Sequence, residues 1–210
     1  MTASSWMEFL VASVALTLAP GPDNLFILSQ GITRGRRDAL RTAWGMCSGN
    51  AVHTLAAAVG LSAAIRSSEM AFFALRMAGA VYLLYLAWQT IREIRSPVVV
   101  SEVKSAGPAA PSSSHWFRRG VAMNLLNPKV ILFYLAFLPQ FADPDAGSLA
   151  LQLTRLGLVF TAQCFLVFSA IAWFAGTIGV RLARHPRYTR ILRGVSAAIF
   201  IVLAARLAWI

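Results

Sequence analysis

The sequence predicts an all-α membrane protein with six transmembrane helices, arranged as two inverted three-helix repeats whose first helices are broken by proline. Composition is the first observation behind this prediction. Of the 210 residues, 58% are apolar and 13% charged, and the mean hydropathy is +0.64, whereas about a quarter of a soluble domain is charged. The apolar residues also fall in runs of about twenty, the length that crosses about 30 Å of hydrocarbon.

Six runs are long enough to be spans, and they leave too little chain between them for a separate soluble domain. The predicted spans are residues 6–31, 40–65, 70–91, 117–139, 151–178 and 191–210. Ahead of the ten-residue apolar run that ends at Ala19, the charge is the negative Glu8, whereas a signal peptide has positive charge there. Residues 1–31 are therefore expected to belong to the mature protein.

Basic residues concentrate in alternate connections between these spans. Of the 19 basic residues, four lie in the first gap, five in the third and five in the fifth. They are Arg34, Arg36, Arg37, Arg41, Arg92, Arg95, Lys104, Arg118, Arg119, Arg181, Arg184, Arg187, Arg190 and Arg193. This asymmetry predicts that the odd-numbered gaps are cytoplasmic and that both termini are periplasmic. Nucleic-acid binding is not predicted, because no basic stripe is interleaved with exposed aromatics.

A segment rich in proline, serine and alanine divides the chain into halves. Residues 96–115 are predicted to be a cytoplasmic linker. It separates a first three-helix repeat at 1–95 from a second at 116–210, within a single transmembrane domain. Because each half has an odd number of spans, the second half enters the membrane from the opposite face. Such inverted repeats are common in secondary transporters.

The first span of each half contains proline. Pro20, Gly21 and Pro22 interrupt the first span, and Pro128 interrupts the fourth. Proline removes a backbone donor and clashes with the carbonyl four residues earlier, so both helices are predicted to break. Broken backbone at membrane depth requires surrounding protein or a water-filled cavity, and matched breaks point to a transport site. The alternative is two kinks that serve packing alone.

One ionisable residue lies beside each break. Asp23 is eleven residues before Arg34, and Lys129 is ten residues after Arg119. At 1.5 Å per residue, these separations place both charges about 15 Å from the cytoplasmic end, near mid-membrane. Two interpretations stay open: a permanent ion pair that allows both charges to be buried, or a site that binds the ammonium and carboxylate of a zwitterion.

The second span contributes further polar residues. Asn50 and His53 stand three apart and share a helix face, and they are candidates for lining a cavity. His53 is the one histidine in a predicted span, so it joins Asp23 as a candidate proton carrier. Gly45 and Gly49 are expected to let another helix approach closely. The two cysteines suggest no metal site, and no cofactor is predicted.

Two motifs resemble a known family. They are PGPDN at 20–24 and MNLLNPKVILFYLAFLPQF at 123–141, and together they resemble the LysE/RhtB family of bacterial amino-acid exporters, in particular its RhtB-like homoserine and threonine branch. The resemblance implies a six-helix secondary exporter of the bacterial inner membrane, driven by the proton gradient. Basic-amino-acid exporters of the family often have an acid at the position of Asn50 and near that of Phe133, so export of lysine or arginine is not expected.

The family motifs extend the candidate site. With them, the predicted substrate-binding residues are Asp23, Asn24, Asn50, His53, Asn124, Asn127 and Lys129, and the predicted helix-break residues are Pro20, Gly21, Pro22 and Pro128. No catalytic residue is predicted, because the spans contain no HExxH motif, no second histidine and no second carboxylate near Asp23.

The prediction for function is export of a small neutral amino acid or derivative, such as threonine, homoserine or homoserine lactone, by proton antiport. The expected partners are this substrate, protons and the lipid bilayer, and a homo-oligomer stays open. A passive channel for small solutes is the main alternative, and an intramembrane enzyme is a weaker one. A channel differs from an antiporter in that it cannot concentrate its solute.

Overall fold

The computed structural model describes residues 3–19, 21–62, 69–94, 113–143, 145–179 and 186–209. Every regular element within these ranges is helical, which confirms the all-α class. The α-helices are α1 (Ala3–Leu18), α2 (Pro22–Thr33), α3 (Arg36–Ala56), α4 (Glu69–Arg92), α5 (Ser113–Leu125), α6 (Pro128–Leu132), α7 (Leu149–Phe174) and α8 (Pro186–Trp209).

Three α-helices continue into irregular helical turns. A π-helical turn, Ala57–Leu61, follows α3, and another, Ala175–Gly179, follows α7. After α6 the chain forms a π-helical turn, Phe133–Phe137, and then a 3₁₀-helix, Leu138–Phe141. Such turns inside helices often mark functional positions.

Both predicted breaks are present. The axes of α1 and α2 differ by 54°, and those of α5 and the helix Pro128–Phe141 differ by 51°. Pro22 and Pro128 are the first residues of α2 and α6, where a missing N–H costs no helical hydrogen bond. Pro20, also predicted as a break residue, lies outside the described residues.

Judged by length and hydropathy, fewer helices qualify as membrane spans than the six predicted. Among the described residues three helices qualify as membrane spans, Phe72–Arg92, Leu149–Thr177 and Arg190–Trp209, and each bent pair adds one more if it counts as a single span. The predicted span at 40–65 does not qualify, because α3 begins with charged residues and carries several polar side chains. Six spans and an inverted repeat therefore stay predictions.

Helix α3 is central to the packing. It packs along α5 and α7, while α4 packs along α8. At the α3–α5 contact a Cβ on Gly45 would come within 2.0 Å of the Phe117 backbone oxygen, and one on Gly49 within 2.4 Å of Asn124 Oδ1. The predicted close approach at these two glycines is therefore confirmed. It brings α3 into contact with the helix that precedes the break of the second half.

The predicted linker lies mostly outside the described residues. Its last residues, from Ser113 onward, already belong to α5, so the linker ends earlier than the boundary at residue 115. Trp116 is buried in this first turn and stacks on the guanidinium of Arg34 at 4.6 Å from the ring centroid. This contact holds the first turn of α5 against Arg34 at the end of α2.

Candidate functional site

A polar cavity lies where the two broken helices meet. Its volume is about 20 Å³, enough for about one water molecule. Six of the seven predicted substrate-binding residues line it, namely Asp23, Asn24, Asn50, Asn124, Asn127 and Lys129, together with the break residue Gly21. Pro22 and Pro128 are exposed and face away from it. The matched interruptions thus converge on one place, as their sequence positions suggested.

The two intramembrane charges share this cavity without forming a salt bridge. The ion pairs found among the described residues are Arg41–Asp38 at 2.9 Å and Arg206–Glu8 at 2.7 Å, so no Asp23–Lys129 distance falls within 4.0 Å. Lys129 Nζ instead donates to the Ala19 carbonyl oxygen at 3.0 Å. A direct, permanent ion pair, one of the two interpretations left open by the sequence, is not what the structure contains.

Each break is stabilised by an asparagine. Asn24 Nδ2 donates to the carbonyl oxygen of Thr17 at 2.8 Å and more weakly to that of Ala19 at 3.3 Å, which satisfies acceptors at the C-terminal end of α1. Asn127 Oδ1 accepts from the Lys129 backbone N–H at 3.0 Å and caps α6. These two residues therefore hold the backbone that surrounds the cavity.

Asn50 and Asn124 connect α3 to the second break. Asn124 Nδ2 donates to Asn50 Oδ1 at 3.0 Å, and both side chains are fully buried. His53 is different: it is half-buried and does not line the cavity. Its Nε2 lies 3.4 Å from the Asn124 backbone oxygen, and its ring stacks on Tyr134. Three residues on a helix correspond to a rotation of about 300°, so His53 points about 60° away from Asn50.

Sequence reasoning missed part of the cavity wall. Thr17 on α1 and Cys164 on α7 line the cavity with polar atoms, and Leu16, Val130, Phe160 and Phe168 line it with apolar ones. Gln163 Nε2 donates to Thr17 Oγ1 at 2.8 Å and to Cys164 Sγ at 3.1 Å. Two features of the sequence could have indicated these residues. Thr17 carries a hydroxyl one turn before the first break, and Gln163 and Cys164 are adjacent polar residues within an apolar run.

Several buried polar atoms around the cavity have no hydrogen-bond partner in the protein. They include Asp23 Oδ1, Asn50 Nδ2, Asn124 Oδ1 and Gln163 Oε1. Buried polar atoms in native proteins nearly always have a partner, so the set comprises groups suited to bind a polar solute or water. Within the described ranges, no group of three or more His, Cys, Asp or Glu side chains could hold a metal ion.

Two bent helix pairs around a buried polar cavity are typical of membrane transporters, and comparison with known proteins agrees. The family model described as LysE type translocator matches residues 14–209. The leucine efflux protein of Enterobacter sp. (strain 638) is 30% identical over 204 residues, covering 97% of this chain and 95% of that protein. The leucine efflux protein of Klebsiella pneumoniae is 29% identical, with coverage of 97% and 94%. No solved structure gives a significant match.

The chain belongs to the LysE family of translocators, as the two motifs predicted. It is therefore a transporter rather than an enzyme, and a multi-pass protein of the bacterial inner membrane. A relative in Pseudomonas aeruginosa, an uncharacterised membrane protein, is 31% identical over 216 residues, covering 98% of this chain and 95% of that protein. The assignment to the homoserine and threonine branch stays a prediction.

Proposed function

We propose that the chain exports neutral amino acids by proton antiport and binds the zwitterionic backbone of its substrate between Asp23 and Lys129. The observation behind this proposal is a cavity that contains one acid and one base which do not pair with each other. A substrate carboxylate can take the place of the Ala19 carbonyl at Lys129 Nζ. The substrate ammonium then faces the free Oδ1 of Asp23.

The amides complete the site. Asn50 Nδ2 is a free donor suited to a carboxylate, and Asn124 Oδ1 and Gln163 Oε1 are free acceptors suited to an ammonium. In an amino acid the ammonium and the carboxylate are both bonded to Cα, so the two groups lie close together. Binding therefore satisfies buried polar atoms whose lack of partners costs about 1–3 kcal/mol each.

The charge of the cavity selects neutral substrates. Among the described residues, Asp23 is the one carboxylate in its wall, so a lysine or arginine side chain would meet no second acid there. The Enterobacter and Klebsiella relatives are both named for leucine efflux, and the cavity wall includes Leu16, Val130 and two phenylalanines. We therefore propose leucine-like amino acids as the first substrates to test, with threonine, homoserine and homoserine lactone as the second group.

Export against a gradient requires coupling to an energy source. One proton that moves through 100 mV releases about 2.3 kcal/mol, enough for about a fiftyfold concentration ratio. Asp23 is the proposed proton carrier, because the same carboxylate that binds the ammonium can be protonated after the substrate leaves. His53 is the second candidate through its contact with the Asn124 backbone.

The proposed topology has six spans with both termini in the periplasm. The packing supports an inverted repeat, since α3 contacts α7 and α4 contacts α8, and these are the pairs of equivalent helices in the two halves. A twofold axis in the membrane plane would bring equivalent helices together in this way.

Efflux assays test the function. Intact cells that produce the chain are loaded with labelled leucine or threonine, and efflux is followed before and after a protonophore is added. We expect uphill efflux of leucine that stops when the gradient collapses. Uphill efflux that continues afterwards would contradict proton coupling, and efflux that never exceeds equilibration would indicate a channel. Efflux of lysine without leucine would overturn the substrate class.

Charge-removing variants test the site. Asp23→Asn and Lys129→Met are each expected to reduce efflux to the level of cells without the transporter. The matched controls are Asp38→Asn, whose carboxylate pairs with Arg41 at 2.9 Å, and Lys104→Met in the predicted linker, and both should keep efflux. The amount of protein in the membrane is measured for all four. Full efflux by either cavity variant would remove that residue from the site.

A further inference from the structure

A second, apolar cavity adjoins the first. Its volume is about 10 Å³, and Leu16 and Lys129 line both cavities. The rest of its wall is apolar and comes from α4, from the helix after the second break and from α8. Besides Leu16, the leucines that line it are Leu83, Leu132, Leu203 and Leu207. Lys129 therefore lines both a cavity with several polar side chains and a cavity whose other lining residues are apolar.

We propose that this apolar cavity receives the side chain of the exported amino acid, and that Leu83 and Leu203 determine which side chains are exported. The proposal rests on the function proposed above and goes beyond it, because it assigns specificity to helices α4 and α8, which carry none of the residues of the polar site. The substrates it selects are amino acids with aliphatic side chains.

The geometry of an amino acid leads to this assignment. The carboxylate, ammonium and side chain diverge from a tetrahedral Cα, so two groups held by Lys129 and Asp23 leave the third to point elsewhere. The wall of the first cavity carries amides and a threonine hydroxyl, and it also includes Leu16, Val130, Phe160 and Phe168. Apart from Lys129, the residues that line the second cavity are apolar, so a leucine side chain there would leave no polar atom unpaired.

Packing indicates how the cavity would open. At about 20 and 10 Å³, the cavities are smaller than an amino acid, so the structure is a closed form and the wall moves when substrate binds. Leu83 and Leu203 are buried at 7% and 5% exposure, and they lie on α4 and α8, which pack against each other. A space that opens between them is stabilised only when apolar atoms fill it.

Truncation of the wall tests the proposal. Full-length wild type, Leu83→Ala and Leu203→Ala are reconstituted in proteoliposomes, and transport of alanine, leucine and phenylalanine is measured. Each variant is expected to raise the ratio of phenylalanine to leucine transport by about tenfold, since a single methylene in an apolar pocket changes selectivity by about 10–200-fold. Alanine transport should change little.

Neighbouring residues of similar chemistry provide the controls. Leu84→Ala and Val202→Ala lie on the same two helices but are 50% and 65% exposed, and their transport ratio should equal that of wild type. Phe168→Ala enlarges the first cavity instead. If Phe168→Ala raises the ratio while Leu83→Ala and Leu203→Ala do not, the side chain occupies the polar cavity and the proposal is wrong.

A binding measurement covers the case in which truncation prevents insertion. Leu83→Cys, made together with Cys47→Ala and Cys164→Ala, is labelled with a thiol reagent, and leucine is expected to slow the labelling several-fold more than alanine does. Equal protection by both amino acids overturns the side-chain assignment. If wild type transports no neutral amino acid at all, the proposed function itself fails. If wild type transports them and both alanine variants keep its ratio of phenylalanine to leucine transport, only the side-chain assignment is refuted.

Discussion

Asn24, in the first turn of α2, and Asn127, the N-cap of α6, lie beside the two breaks but act through opposite ends of the amide. Asn24 uses its NH₂ group to donate to carbonyl oxygens at the end of α1, whereas Asn127 uses its oxygen to accept from the first turn of α6. A break exposes acceptors on one side and donors on the other. The same residue type is therefore suited to both positions, and only the geometry shows which atom is used.

This difference predicts which substitutions each site tolerates. Asn24→Asp keeps the shape but loses the donor, so it is expected to lower the free energy of unfolding by about 1–3 kcal/mol. Asn127→Ser keeps an oxygen acceptor at the cap and should cost at most a few tenths of a kcal/mol, while Asn127→Ala should cost about 1 kcal/mol. Thermal unfolding in detergent micelles measures all three. A more stable Asn24→Asp than Asn127→Ser would contradict this account.

At the scale of elements, glycine positions determine how α3 meets α5. Gly45 and Gly49 face α5, and Gly120 of α5 faces α3, where a Cβ would lie 2.2 Å from the Thr42 carbonyl oxygen. The three absent side chains let the two backbones touch, which places Asn50 within hydrogen-bond distance of Asn124. Gly60, in the π-helical turn that follows α3, has no atom within 4 Å of such a Cβ.

The contact predicts a contrast between two alanine substitutions. Gly45→Ala is expected to force α3 and α5 apart, because the nearest backbone oxygen is 2.0 Å from the added carbon. It should lower stability by about 1–3 kcal/mol, the range for overpacking, and reduce export. Gly60→Ala adds a methyl group to open space and should leave both unchanged or improve stability. Thermal unfolding and efflux are measured for both variants. Equal effects of the two substitutions would refute the predicted contrast.

At the scale of the whole molecule, an aromatic cluster separates the cavity from the end of the bundle at which α1 begins. Phe133 stacks on Phe160 of the cavity wall with ring centroids 4.0 Å apart, and Phe141 packs on Phe9 at 5.2 Å. Beyond it, Arg206 pairs with Glu8 and lies over the Phe141 ring at 4.7 Å. The predicted topology would make this the periplasmic end, so the cluster would close the cavity on the exit side.

Orientation in the membrane is tested with reporters. A reporter fused after Ser113 is expected to behave as cytoplasmic, because the first, third and fifth gaps hold most of the basic residues. One fused after Asp145, in a gap without basic residues, is expected to behave as periplasmic. Reversed signals at both sites would invert the topology. The same compartment at both sites would show that the bent pair Ser114–Phe141 does not cross the membrane.

Several residues of the site could be predicted from local sequence, because charged side chains and broken backbone cost free energy in lipid. Asp23 and Lys129 stand out as charges in apolar runs, and proline at residues 22 and 128 cannot continue a preceding helix without loss of a hydrogen bond. The helices themselves follow from run length. These properties depend on single residues and their neighbours in the chain, and they need no knowledge of the partner helices.

Distances across the chain depended on the tertiary structure alone. Sequence spacing could not separate a salt bridge from two unpaired charges at one cavity, because the difference is a few ångströms between residues 106 positions apart. It placed His53 with Asn50, although a rotation of about 60° takes His53 out of the cavity. It also could not pair Leu83 with Leu203, since apolar residues in a membrane helix face lipid and core alike. Only the packing of α4 against α8 distinguishes the two environments.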